Sequence, residues 1–236
     1  MMNKEKLYKG YKLINFNLKG YKGFVIVPKE VEGKKRWIWR TEFLGDFDKA
    51  DMTLVKQGWH LVYYKISNMY GCPMAVNLMA DFHKYVVNTF NLTKKVVLFG
   101  FSRGGLYAIN YAVKYPNNIA AIYLDAPVID LQSWPKKGHT LRDECLRWYE
   151  FTEDDALKYS LTQLDRAKKL AEYKIPIIVV VGDKDQTVPY EDNGKLFIEE
   201  YRKIHDNIVV IIKRGCGHHP HSLEDVTPII DFISNC

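Results

Sequence analysis

No apolar run in these 236 residues approaches the length needed to cross a bilayer. Met1 to Lys12 alternates charged and polar side chains around no apolar core, so no secretory leader is visible there. Cysteine is scarce: Cys72, Cys145, Cys216 and Cys236 stand at irregular spacings and none belongs to a C-x-x-C pair. Free thiols in a reducing compartment are the simplest reading. A dominant charge is missing too. The net charge of +6 is spread over short groups such as Lys34-Lys35-Arg36, Lys94-Lys95, Lys136-Lys137 and Lys168-Lys169, far apart in the chain. Such scatter makes solvated surface rather than a nucleic-acid stripe. Internal repeats and low-complexity tracts are absent as well. These absences point to a cytoplasmic globular protein with neither a nucleic acid nor a membrane as partner; they leave its oligomeric state open.

What the chain does have is ordinary globular composition, 47% apolar and 26% charged, with 14% aromatics that include sixteen tyrosines and five tryptophans. Tyr11 to Leu18 and Phe24 to Val27, joined by Gly20-Tyr21-Lys22-Gly23, read as a hairpin. Arg36 to Trp39 is a third strand, Asp48 to Gln57 a helix closed by Gly58, and Trp59 to Ile66 a strand. Pro73 opens a helix to about Phe90, with Val76, Met79, Phe82, Val86 and Phe90 at core spacing. Strands follow at Lys95–Phe99, Ile119–Leu124, Pro176–Val181 and Ile208–Ile212, and helices at about Glu191–Lys203 and Leu223–Ser234. Alternation of this kind after an opening hairpin calls for a mostly parallel sheet covered on both faces, an α/β fold in one domain over residues 1–236. Residues 131–174 are too long for one crossover helix. Thr140 with Asp143, Thr152 with Asp155 and Ser160 with Gln163 suggest three short capped helices, a cap inserted near the sheet edge where sites form.

The chain is organised around Gly100-Phe101-Ser102-Arg103-Gly104-Gly105, a G-x-S-x-G between a buried strand and the helix Leu106 to Val113. A serine on so sharp a turn is pushed out of the sheet edge, and the N–H of Arg103 points to where an oxyanion would form. Serine needs a base, and the base an orienting acid. Gly182-Asp183-Lys184-Asp185-Gln186-Thr187-Val188-Pro189 and Gly215-Cys216-Gly217-His218-His219-Pro220-His221-Ser222 follow the last two strands and supply both. Ser222 with Asp225 could cap the final helix and pin the histidine loop. Asp183 and Asp125 are rival acids, though Asp183 reads better as turn support and Asp125 as a residue stabilising the elbow region, while His219 and His221 are rivals of His218. Cys216, His218, His219 and His221 could be read as a metal cluster, but neighbours so close in an irregular loop are not expected to converge on one ion.

These motifs resemble those of the α/β-hydrolase superfamily from about Tyr11 to the C-terminus. The resemblance implies that the second aspartate of G-D-x-D-x-x-V-P, Asp185, is the acid and that the glycine-flanked His218 is the base. It also implies a second oxyanion donor in the loop after the third strand. That loop reads Trp39-Arg40-Thr41-Glu42-Phe43 instead of the usual His-Gly, and the N–H of Thr41, then of Arg40, is the expected donor. The chain is also similar to a bacterial subgroup with G-x-S-R-G-G, D-A-P and G-H-H-P-H-S. Catalysis by Ser102, Asp185 and His218, with no cofactor and no metal, implies hydrolysis of a carboxylic ester through an acyl-enzyme; a peptidase, thioesterase, acyltransferase or hydrolase-like binding protein are the alternatives. Two further expectations concern the substrate. Trp134, Trp148 or Tyr149 of the cap would line its pocket. At least one of Arg40 and Arg103, flanking the oxyanion site, would grip a carboxylate or hydroxyls, favouring an esterified sugar or small polar ester; the alternative is that both turn away and pair with acids such as Glu42 or Asp125.

Overall fold

The computed structural model describes residues 6–236; the first five residues of the polar N-terminal stretch lie outside it. Nine strands form one sheet: β1 (Leu7–Tyr8), β2 (Tyr11–Leu18), β3 (Tyr21–Val27), β4 (Trp37–Arg40), β5 (His60–Tyr64), β6 (Val96–Phe101), β7 (Ile119–Asp125), β8 (Ile177–Gly182) and β9 (Ile208–Lys213), in the order β1-β2-β3-β5-β4-β6-β7-β8-β9. β1 to β3 and the β3–β5 pair are antiparallel, and every pair from β5 to β9 is parallel.

Period-two alternation in the strands explains the two covered faces. Trp37, Trp39, Val62, Val96, Leu98, Ile122, Leu124, Ile177 and Val179 point to one core, with α2 (Pro73–Phe90), α3 (Gly104–Lys114) and α7 (Lys195–Arg202). Ile38, Leu61, Val97, Phe99, Phe101, Tyr123, Ile178 and Val180 point to the other, with α1 (Lys49–Lys56) and α8 (Thr227–Ser234). This is the architecture that the α/β reading requires.

Residues 131–174 hold three helices, α4 (Arg142–Tyr149), α5 (Glu153–Leu161) and α6 (Gln163–Glu172). Of the three capping patterns only Thr152–Asp155 forms, as a full capping box. Leu141 precedes α4 without a side-chain cap, and Ser160 turns instead to Asp130. Buried polar side chains hold the insertion: within it Arg142 donates to the Leu131 and Pro135 carbonyls and to Glu153, and it is tied to the chain outside by Arg166 donating to the Ile129 carbonyl, Gln163 to the Asn193 carbonyl and Asn193 to Ser133. Asn193 also explains why α7 begins at Lys195 rather than Glu191, since the preceding turn is held for that contact. Likewise α8 begins at Thr227 and not Leu223. Asp225 accepts from the Thr227 N–H, while the Ser222 N–H is taken by Asp125, so the expected Ser222–Asp225 cap does not form.

His60, at the start of β5, is buried with Nδ1 lacking a partner, and burial pushes its pKa down to about 4, helped by Lys35. Its native pKa lies below its unfolded value, so the stability it permits is complete above about pH 6.5 and falls as the pH drops towards 4. Urea midpoints of the parent and His60→Phe between pH 7 and 4.5 should therefore diverge, with the variant losing less. Parallel curves would contradict this.

Candidate active site

The elbow places Ser102 at φ +48°, a conformation that costs a non-glycine residue about 1–3 kcal/mol and persists only where neighbours over-determine it. They do so here. The Ser102 N–H donates to the Asp125 carbonyl at 2.9 Å, and the Ser102 carbonyl accepts from Val128 N–H at 2.8 Å. Gly105 permits the approach, because a Cβ there would lie 2.7 Å from the Val128 carbonyl oxygen.

Ser102 Oγ is 3.0 Å from His218 Nε2, and His218 Nδ1 is 2.7 Å from Asp185 Oδ2. A carboxylate on Nδ1 fixes the tautomer with the lone pair on Nε2, facing the hydroxyl. The other carboxylate oxygen of Asp185 accepts from the Thr187 and Val188 N–H groups, both at 2.9 Å. Burial pushes this carboxyl up; the bond from His218 and those two N–H groups outweigh it and hold the group below its ordinary value. Asp183 stays out of the site and accepts from Gly215 N–H, bracing the turn as expected.

The histidine loop lies directly on the end of β8. A Cβ at Gly182 would fall 2.3 Å from the Cys216 carbonyl oxygen and 2.4 Å from that of Gly217. Gly182→Ala should thus push the loop outward and lower kcat about 100-fold, since misplacing a base by roughly 1 Å has that scale of effect. Steady-state kinetics beside a melting curve checks it; unchanged kcat would mean the loop position is not critical.

The Arg103 N–H enters no turn or cap hydrogen bond among the described residues and stands at the start of α3, as an oxyanion donor must. The expectation for the second donor is corrected. Thr41 N–H is committed to the Phe99 carbonyl at 3.0 Å, and Arg40 lies inside β4 between Tyr63 and Phe99. The first residue of this loop to line the cavity beside Ser102 is Phe43.

Arg40 is corrected in a second respect. Its guanidinium is fully buried, bound by Asp51 through Nε at 2.9 Å and Nη2 at 2.5 Å and stacked 3.6 Å over Phe101. It cannot reach a substrate, because its side chain follows the strand alternation to the α1 face. Arg103 has Nε 3.5 Å from Glu42 Oε1 and its guanidinium near the Phe43 and Tyr70 rings. Burial raises the Glu42 carboxyl above its ordinary value against the pull of Arg103 and Ser67.

A cavity of about 200 Å³ opens against Ser102, lined by Phe43, Asp46, Phe47, Phe101 and His218, with His219 and His221. Phe43, Asp46 and Phe47 carried no signal in the sequence beyond their place after β4. The cap aromatics do not line this cavity. Tyr149 binds the Tyr70 carbonyl and borders a separate hollow with Asn110 and Phe151; Trp134 packs on Tyr70, and Trp148 against the core. The stapling of the insertion through Arg166 and Asn193 sets it beside α3 and α7.

Asp125 pairs with His221, not His218. Its Oδ1 is 2.7 Å from His221 Nδ1, and Oδ2 accepts from Tyr123 and from Ser222 N–H. This second pair anchors the histidine loop to β7. Ligand nitrogens of His218, His219 and His221 lie within 4.8 Å of one another, with Cys216 outside the group. The exposed His219 stacks on Phe47, and burial together with its two histidine neighbours lowers its pKa.

Among the described residues, no helix is long and apolar enough to cross a membrane. The chain is similar to Lipase 1 of Psychrobacter immobilis, 29% identical over 168 residues; this covers 55% of the chain and 51% of that protein, so it spans about half the length of the curated relative it matches. Among solved structures it superposes on a puromycin-hydrolyzing peptidase of Mycobacterium tuberculosis, with TM-score 0.73, 13% identity, and coverage of 97% of this chain and 38% of that one. A lipase/esterase of Lactobacillus plantarum gives TM-score 0.63 and 16% identity over 88% and 90% of the two chains. These likenesses place the fold among the α/β hydrolases. The prolyl oligopeptidase family model matches residues 74–236, from the start of α2 to the last residue, and thereby takes in the elbow, Asp185 and His218 but not the Thr41–Phe43 loop. With well over half of it matched, this chain belongs to the prolyl oligopeptidase family of serine hydrolases.

Proposed function

We propose that this serine hydrolase cleaves a small carboxylic ester through an acyl-enzyme formed on Ser102. The observation that carries the mechanism is the unbroken contact from Ser102 Oγ to His218 to Asp185 at the rim of an apolar cavity. Ser102 attacks the carbonyl, and His218 takes its proton and returns it to the leaving alcohol. Asp185 holds the imidazole and stabilises its charged form. The Arg103 N–H stabilises the tetrahedral oxyanion. Between the committed Thr41 N–H and the cavity-lining Phe43, the N–H of Glu42 is the second donor in this reading; Glu42 N lies beside the first residue of α3.

The size of the cavity supports a short acyl group. It is smaller than the roughly 300–1,000 Å³ that drug-sized ligands occupy, and Phe43, Phe47 and Phe101 make its walls apolar. With Arg40 withdrawn, the case for a sugar or acidic ester rests on Arg103 alone, which Glu42 already partners. The peptidase reading has support of its own, because the family and several structural neighbours are peptidases. A panel of aryl esters of increasing acyl length, beside acetylated sugars and peptide anilides, separates the two. Highest kcat/KM on acetyl or propionyl esters supports the proposal; preference for the anilides would replace it with the peptidase.

A further inference from the structure

The loop that carries His218 brings three imidazoles together in an arrangement that hydrolysis does not require. Ring centroids of His218, His219 and His221 are 4.9, 4.9 and 4.7 Å apart in pairs, and the ring planes cross at 76°, 76° and 82°. Edge-to-face crossings of this kind are ordinary ring packing; the separations, however, are also those of imidazoles that share one ion. With Zn–N near 2.0–2.1 Å, the centroid of a bound imidazole lies about 3.2 Å from the metal, so three of them in tetrahedral array stand about 5 Å apart.

The nitrogen chemistry agrees. His218 and His221 each have Nδ1 against a carboxylate, Asp185 and Asp125, at 2.7 Å. Each therefore presents the lone pair of Nε2, and each has the carboxylate–histidine support that orients and strengthens an imidazole ligand. The third, His219, is exposed and stacks on Phe47; taking nitrogens that now lie within 4.8 Å of one another to the roughly 3.4 Å that one tetrahedral ion demands requires small movements of these rings, His219 foremost because no carboxylate holds it. Asp46 lines the same cavity and, with the two supporting carboxylates, offsets a dication's charge. A donor set of imidazoles alone suits zinc, copper or nickel and not magnesium or calcium, which need oxygen.

We propose that His218, His219 and His221 form a binding site for a borderline divalent cation, of the Zn²⁺ class, that reversibly shuts off Ser102. An ion on Nε2 of His218 occupies the lone pair that receives the serine proton and displaces the hydroxyl now 3.0 Å away. Hydrolysis then stops while the metal is held. The inhibitory part rests on the proposed function; the binding part does not.

The test is a titration of the chelator-treated full chain with Zn²⁺ alone, read by competition with a chromophoric chelator and, with Co²⁺, by visible absorption. The expected result is one ion per chain at low micromolar dissociation constant or below, and parallel inhibition of ester turnover with the same midpoint. Loss of one ligand in His219→Ala should weaken binding at least about tenfold, as should His221→Asn, the second variant guarding against a local effect of the first. Mg²⁺ and Ca²⁺ should do nothing. No zinc bound at about 100 µM, a level that would load any micromolar site almost fully, would overturn the proposal. Binding that neither variant weakens, or binding without inhibition of an active enzyme, would overturn it too. Zinc binding to a chain that proves unable to hydrolyse any ester or anilide would leave the metal site standing and remove the hydrolase reading instead.

Discussion

Ser102→Ala is expected to lower turnover of an aryl acetate by about 10⁴-fold or more while the protein still melts cooperatively near the parent temperature. The hydroxyl makes one contact, to His218 Nε2, so its removal deletes the nucleophile and little else. The φ of +48° is held by backbone bonds to Asp125 and Val128, which alanine keeps. His218→Ala should cost a similar factor, since it leaves the nucleophile without a base. Asp185→Asn should reduce kcat strongly as well, because an amide on Nδ1 permits the wrong tautomer. These losses should not multiply in the double variants, since the residues act as one unit. Near-parent turnover in His218→Ala combined with loss in His219→Ala would mean that the neighbouring histidine is the base.

The second large effect is on stability. Arg40→Met should destabilise the fold by about 3–5 kcal/mol, which is on the order of a 10 °C fall in Tm for a chain of this size. Both partners of the Arg40–Asp51 pair are fully buried, so removing the guanidinium leaves the Asp51 carboxylate without its counter-charge. Methionine retains the stem over Phe101, so lost packing contributes little. Arg40→Met with Asp51→Leu should recover much of the loss, because an apolar pair of similar volume is often as stable as a buried ion pair. Thermal melts of the two variants decide it. A single variant as stable as the parent would show that the pair contributes nothing, and selective loss of activity on an anionic ester would return Arg40 to the substrate site.

That pair also shows where reading the sequence stopped short. The sheet was legible because Val96 to Phe101, Ile119 to Asp125 and Ile177 to Gly182 are short apolar runs, and the order serine, acid, histidine followed from the turns after three of the strands. Arg40 was misjudged because its distance from the oxyanion loop in sequence says nothing about which side of β4 it faces. Trp37 and Trp39 face one core and Ile38 the other, and Arg40 follows Ile38. An acid on the buried side of α1, Asp51, was the signal that could have exposed the pair. The cap aromatics failed for a different reason. Length and capping patterns predict helices, but where the insertion settles depends on distant contacts, Arg166 to Ile129 and Asn193 to Ser133 and Gln163. The histidine cluster depends on one such contact too, the Asp125–His221 bond between residues 96 positions apart.

The central claim is that Ser102 is a nucleophile activated by His218 and Asp185. Reaction with an aryl fluorophosphonate, followed by intact mass and peptide mapping, tests it most directly. A single adduct on Ser102 is predicted, absent in Ser102→Ala and formed orders of magnitude more slowly in His218→Ala. No adduct, or one on another residue while Ser102 stays unmodified, would contradict the account.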